Sequence, residues 1–249
     1  MKQYKLFDLD IVDSDHIQVA EHLGSVVKNN RFYRVLTLNS IMIMSTITDI
    51  NLKKWLKSSH LITADGQGII LGMKLLNNLN VKTCTGIDLV YLLLQKSYRF
   101  YFVGSSKDNI ELAVQKVKRQ FPNAMVCGYS HGYFSKDEEA SILSDIQLTN
   151  PDFIFVGMGF PKQEYFIEQC SLICDRGIAI GIGGVFDVLS GVKKKAPSWV
   201  RYIKMEWFFR ALQEPSKFLS FGQLFSYLFY ILKIYVKKHF LRTKSFENV

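Results

Sequence analysis

The chain has 249 residues, 48% of them apolar, which suffices for one sizeable α/β core and excludes a mostly disordered or disulfide-built protein. Its net charge of +9 is unevenly placed: residues 1–192 carry 19 Lys+Arg against 19 Asp+Glu, whereas residues 193–249 carry 12 against 3. The opening MKQYKLFDLDIVD lacks the apolar stretch of a signal peptide, and Cys84, Cys127, Cys170 and Cys174 form no CxxC pair, so a cytoplasmic protein with ordinary core cysteines is expected.

Taken in order, the chain first offers Asp8 and Asp10, an Asp-x-Asp pair of the kind that holds a divalent metal in many nucleotide-sugar enzymes. It precedes any nucleotide-binding unit and reads as a solvated strand or turn, so no metal is expected. Apolar runs then alternate with helical patterns: RVLTLN and a helix from about Ser40, HLITAD and GIILGMKLL, RFYFVG and NIELAVQKVKRQF. The alternation continues through AMVCGY, DEEASILSDIQL, DFIFVG, KQEYFIEQCSLI and IAIGIG. Continuous β-branched and aromatic runs between helices predict a doubly wound, Rossmann-like, mostly parallel sheet buried on both faces. The catalytic core is expected over 1–195, with a helical appendage over 196–249.

That appendage begins with VRYIKMEWFFRALQEP, which reads as one amphipathic helix ended by Pro215. Leu219 to Leu232 is then uncharged, too short to span a bilayer, which needs about 20 apolar residues. Helical spacing puts Ser220, Gln223, Tyr227, Tyr230, Lys233 and Lys237 on a polar stripe, opposite Phe221, Leu224, Phe225, Leu228, Leu232 and Val236. With Lys237, Lys238, Arg242 and Lys244 following, the pattern suits the surface of an anionic membrane; packing against the core or another copy of the chain is the alternative. No helix-turn-helix, zinc-finger or RNA-recognition signature accompanies the charge, so nucleic acid is not an expected partner.

Phosphorylated ligands in such sheets meet the carboxyl ends of strands. Asp65, after the strand LIT, is placed either as a general base or as an N-cap on the next helix. Thr37 and Asn39 have the same choice between substrate and cap. Gly157, Gly159 and Pro161 allow a sharp turn that puts Lys162, Gln163 and Glu164 in the first helical turn, where Lys162 could meet a pyrophosphate and Gln163 a sugar or base edge. Gly181, Gly183 and Gly184 form a second such turn, followed by Asp187, which suits a ribose or uracil edge or simply a helix start; Asp88 in TGIDL has the same two readings. The dinucleotide fingerprint GxGxxG is missing, which weakens a dehydrogenase reading.

The motifs TLN at 37–39, TADG at 63–66, TGIDL at 85–89, GMGFPKQE, GIGGVFDVLSG, KAPSW and EWFFRALQEP occur in an order and spacing that resembles the WecG/TagA/CpsF glycosyltransferases, glycosyltransferase family 26, over nearly the whole chain. The resemblance implies an inverting, metal-independent enzyme without a cofactor. Such an enzyme moves a sugar, often of N-acetylmannosamine type, from a UDP-sugar to an undecaprenyl-diphosphate-linked acceptor for cell-surface polysaccharide or teichoic acid, at the inner face of the bacterial membrane. It implies Asp65 as base, Thr37, Asn39 and Gln163 as sugar contacts beside Gly66, Asp88, Gly183 and Gly184, and the appendage as the membrane element. Lys195, Arg201 and Arg210 become candidate cations for the diphosphate or acceptor. Thr83 and Lys195 stand where the family usually has Arg; threonine loses the charge and lysine the bidentate fork, leaving Lys82 as the neighbouring cation. A Rossmann-like nucleotide-binding regulator with a membrane-binding tail is the alternative.

Overall fold

The computed structural model describes residues 1–202, 205–213 and 219–246. Phe7 and Asp8 both take left-handed backbone, with φ of 51° and 66°, and so turn Gln3–Leu6 (β1) back onto Leu9–Val12 (β2) as an antiparallel hairpin. Asp8 and Asp10 pair with Lys53 and Lys5 on its surface.

His16–Val27 (α1) follows, its end closed by a capping box between Asp15 and Gln18. Next come Phe32–Leu38 (β3), Ser40–Thr48 (α2), Ile50–Lys57 (α3), Leu61–Ala64 (β4), Gln67–Asn77 (α4), Gly86–Leu94 (α5), Arg99–Gly104 (β5), Lys107–Gln120 (α6), Met125–Ser130 (β6), Lys136–Thr149 (α7), Phe153–Gly157 (β7), Lys162–Ile173 (α8), Gly177–Gly181 (β8) and Val185–Leu189 (α9). The strands form one sheet in the order β1-β2-β4-β3-β8-β7-β5-β6, parallel except for the β1–β2 edge. The expected doubly wound architecture is therefore present, with a hairpin added at one edge.

The apolar runs are continuous because both faces of the sheet are covered. Leu36, Leu38, Ile62, Val103, Ile154 and Val156 enter one core with Met42, Ile43, Ile69, Met73 and Phe166 of α2, α4 and α8. Val35, Leu61, Phe100, Phe102, Phe153 and Phe155 enter the other with Leu23, Val90, Val114 and Phe186 of α1, α5, α6 and α9. After β3 the chain goes to the first face, and after β8 to the second, although β3 and β8 are hydrogen-bonded neighbours. Their carboxyl ends thus mark a point where the connections part, the place at which sheets of this kind form a ligand crevice.

Beyond the core lie Ser198–Tyr202 (α10), Glu206–Gln213 (α11) and Leu219–Phe246 (α12). The single amphipathic helix expected before Pro215 is instead two short ones. Met205 donates its N–H to Val200 O at 3.0 Å, a span wider than the α-helical one, and its own carbonyl begins the hydrogen bonding of α11. Pro215 lies outside the described residues.

The expected stripes of the last helix also need correcting. Tyr227, placed on the polar side, is the most buried of the described side chains of α12, and Ile231 is buried beside it against α2 and α4. Tyr230, from the same stripe, packs its ring on Phe7 with centroids 5.5 Å apart. The apolar residues left exposed are Phe225, Phe229, Leu232 and Val236, spaced four, three and four apart along the opposite side. The side chains of Ser220, Phe221, Arg242 and Lys244 lie outside the described part. No helix among the described residues is long and apolar enough to cross a membrane.

Candidate active site

At the end of β3, Thr37 is buried and its Oγ1 donates to Gly181 O of β8 at 3.0 Å, closing the seam below the crevice. Asn39 does what a strand-end Asn most often does: its Oδ1 accepts from the Ile41 and Met42 N–H groups and caps α2.

Asp65 behaves differently. The N-cap of α4 is Gly66, at φ +87°, where no side-chain cap is made. The Asp65 carboxylate turns instead toward the Gly86 N–H at the start of α5, at 3.5 Å. A Cβ on Gly86 would stand 3.7 Å from Thr37 Oγ1 and 3.9 Å from Asp65 Oδ2, so these three residues share one corner.

Beside that corner lies a cavity of about 520 Å³, of the size that holds a small ligand. Its wall includes Asp15, His16, Gln67, Thr83, Thr85, Asp88 and Glu206. Asp88 connects it to the segment that leads into α10, since Lys195 Nζ reaches Asp88 Oδ1 at 2.8 Å while lying 4.6 Å from the centre of the Tyr91 ring. Thr85 caps α5 and donates to Asp88 Oδ2 at 2.8 Å. Burial pushes the Asp88 carboxyl up, but the hydrogen bonds from Lys195 and Thr85 outweigh it and hold the group below the usual range.

Lys82 also lines the cavity, yet its ammonium is tied to Asp15 Oδ2 at 3.2 Å and Gln18 Oε1 at 3.0 Å. It thus serves the α1 cap rather than standing in for an Arg at position 83. Arg201 and Arg210 have side chains outside the described part of the structure.

The two glycine turns meet on the other side of Asp65. A Cβ on Gly157 would fall 2.6 Å from Phe186 and 2.8 Å from Gly183 O, so only glycine permits this approach. Gly159, at φ +77°, carries the chain into α8, whose first residue, Lys162, is exposed. Gln163 and Glu164 turn inward and are 3% and 1% exposed. Gln163 Oε1 accepts from Gly183 N–H at 3.0 Å and its Nε2 donates to Glu164 Oε1 at 2.8 Å, packed directly over Gly181. Glu164 Oε2 is buried without a hydrogen-bond partner, and burial pushes the carboxyl up to about 7. Glu164, expected at the ligand, therefore lies beneath Gln163, in the protein interior.

Asp187, expected at a ribose or uracil edge, accepts from Ser105 Oγ at 3.1 Å, Asn109 Nδ2 at 2.7 Å and Lys193 Nζ at 2.6 Å. It thereby ties α9 to the end of β5, and a Cβ on Gly184 would stand 3.6 Å from its Oδ2.

Asp15, His16, Gln67, Thr85 and Glu206 carried no local signal of a site. They come from α1, α4, the start of α5 and α11, and only the tertiary fold gathers them.

A sheet with diverging connections, a carboxylate at the rim and a neighbouring polar cavity describes an α/β enzyme acting on a polar substrate. Sequence comparison makes the class specific. Residues 4–244 match the model of the Glycosyl transferase WecG/TagA/CpsF family. The chain is a glycosyltransferase and belongs to that family. It is similar to two enzymes named N-acetylglucosaminyldiphosphoundecaprenol N-acetyl-beta-D-mannosaminyltransferase. One, from Bacillus spizizenii, is 31% identical over 94% of this chain and 92% of that protein; the other, from Bacillus subtilis, is 33% identical over 90% and 85%. A Staphylococcus aureus enzyme of the same name is 27% identical over 92% of this chain and 91% of its own.

Proposed function

We propose that this glycosyltransferase moves an N-acetylmannosamine-type sugar from UDP to an N-acetylglucosamine unit on a polyprenyl diphosphate, in one inverting step without a metal, for cell-surface polymer synthesis. The observation that carries the reading is the Asp65 carboxylate: Gly66 takes the capping position, and Asp65, at the end of β4, faces Gly86, one residue along the chain from Thr85 of the cavity wall, in the corner it shares with Thr37.

In this reading the crevice, with Thr37, Asn39, Gly157, Gly159, Lys162, Gln163, Gly183 and Gly184, takes the UDP-sugar. The cavity beside Asp88 and Lys195 takes the acceptor. Asp65 removes the proton of the acceptor hydroxyl as its oxygen bonds to the anomeric carbon, and the bond to the UDP oxygen breaks on the opposite face. Backbone N–H groups of the glycine turns, Lys162 and the cations of residues 193–249 offset the charge that develops on the leaving diphosphate. The sequence similarity over most of their length to three relatives named as N-acetylmannosaminyltransferases acting on N-acetylglucosaminyldiphosphoundecaprenol supports the sugar and the acceptor.

The test is a panel of UDP-sugars with a short-chain N-acetylglucosaminyl diphosphate lipid, read by product mass and by NMR of the new anomeric centre. UDP-N-acetylmannosamine should give one added N-acetylhexosamine with an inverted anomeric centre, undiminished by chelator. UDP-sugar binding with no transfer to any acceptor would favour a regulator over an enzyme of this specificity.

Membrane association at the inner leaflet is read from the exposed stripe of α12, which the core leaves uncovered while the helix stays seated. Phe225 and Phe229 are 67% and 71% exposed, and burying each ring in lipid contributes about 2 kcal/mol. The double variant Phe225→Glu, Phe229→Glu should therefore lose on the order of 100-fold or more in sedimentation with anionic vesicles. Undiminished binding would remove this face as the lipid contact.

A further inference from the structure

The helix that carries the lipid-facing stripe is fastened at a point of the core with a catalytic neighbour. Tyr227 is fully buried, and its hydroxyl donates to Gly68 O at 3.0 Å. Gly68 lies in the first turn of α4, two residues after Gly66 and three after Asp65. Two helical glycines face the ring, and Gly72 is the one that a side chain would bring into collision with it. A Cβ on Gly68 would stand 3.4 Å from Tyr227 Cε1, and a Cβ on Gly72 would fall on the Tyr227 hydroxyl while standing 3.6 Å from Cζ. The same Gly68 Cβ would be 3.0 Å from Ser40, the residue after Asn39, so the seat joins the turns that follow both β3 and β4. Farther along, Lys238 Nζ donates to Leu76 O at 2.6 Å in the last turn of α4. The helix is thus clasped to α4 at both ends.

We propose that Tyr227 is a positioning residue for the Asp65 turn, so that the seating of α12 on Gly68 and Gly72 sets the rate of the chemical step and not only the location of the enzyme. The physical argument is local. Gly66 at φ +87° imposes no side-chain cap on α4, so the first turn of that helix lacks the restraint a capping Ser or Asp would give. Tyr227 supplies a restraint from outside, holding the carbonyl of Gly68 and closing the packing against Ser40. Its seat faces inward while Phe225, Phe229, Leu232 and Val236 face out, so one helix carries the lipid contact on one side and the support of the catalytic turn on the other. This inference rests on Asp65 as the base.

The experiment uses the full chain, a soluble short-chain acceptor and no vesicles, so that recruitment to a membrane plays no part. Gly72→Ala puts a methyl where the tyrosine hydroxyl lies; Tyr227→Phe removes the hydroxyl and, with it, the bond to Gly68; the double variant removes the clash but not the lost bond. Expected are a tenfold or greater fall in kcat for Gly72→Ala, with donor KM within about twofold. Tyr227→Phe should fall about three- to tenfold, and the double variant should recover to the Tyr227→Phe level. Amide hydrogen exchange at residues 66–69 should quicken in both single variants. Wild-type kcat in Gly72→Ala and Tyr227→Phe would overturn the proposal, as would a double variant no better than Gly72→Ala. Tyr227→Phe adds no atom, so it folds even where Gly72→Ala does not. If Asp65→Asn stays active, the assignment of the base fails by itself, and hydrogen exchange still reports whether Tyr227 orders the turn.

Discussion

Asp65→Asn is expected to abolish all but about one part in 100 to one part in 10,000 of kcat while leaving UDP-sugar binding within about twofold, the range general-base removal usually produces. Asparagine has nearly the shape of aspartate and keeps an oxygen to accept from the Gly86 N–H, so the turn and its packing against Thr37 are conserved. What it cannot do is take the proton from an acceptor hydroxyl. The loss should therefore fall on kcat, with donor KM almost unchanged. A parallel Asp88→Asn variant separates chemistry from acceptor placement. Asp88 is bound to Lys195 and Thr85 at the cavity wall, so its change should act on acceptor KM and through the position of Lys195. Near-wild-type turnover of Asp65→Asn, measured as UDP release with a saturating acceptor, would remove it as the base and return the residue to structural duty.

The parts of this site that were legible in the sequence are those written in consecutive residues. Six strands announced themselves as apolar runs, five of them because both faces of the sheet are covered there and β6 as a half-exposed edge, and glycine turns marked several of their ends. The β1–β2 hairpin was not legible, since two four-residue strands around Phe7 and Asp8 carry little periodicity. Nor could local sequence tell whether Asp65 caps the helix that follows it or leaves that position to its neighbour: the capping position falls to Gly66, and the carboxylate faces Gly86, twenty-one residues beyond Asp65. Asn39, in the same kind of strand end, took the other option. Tyr227 was misplaced because a helical wheel counts tyrosine as polar, whereas its ring can be wholly buried once the hydroxyl finds a carbonyl. The link from Lys195 to Asp88 joins residues 107 apart and becomes visible only when the appendage folds back.

Glu164 gives the largest expected effect on stability. Its carboxyl titrates near 4.5 when unfolded and is pushed up to about 7 by burial in the fold, where Oε2 has no partner. Between those values the folded chain keeps a proton that the unfolded chain releases, so the wild-type protein loses stability as pH rises from about 4.5 through about 7, and the loss is complete above that. A shift of this size corresponds to about 3 kcal/mol. Glu164→Gln preserves the shape and the acceptor for Gln163 Nε2, and so keeps Gln163 Oε1 on the Gly183 N–H, but it carries no charge at any pH. The buried amide has its own desolvation penalty of about 1–3 kcal/mol, equal at every pH, so the sign of the difference at one pH decides nothing. The slope does. Between about pH 4 and pH 8 the stability of the variant relative to wild type, from urea unfolding at each pH, should move by about 3 kcal/mol in favour of glutamine. Parallel curves would mean that Glu164 ionises normally in the fold and that the interior around Gln163 is wetter than its 1% exposure indicates.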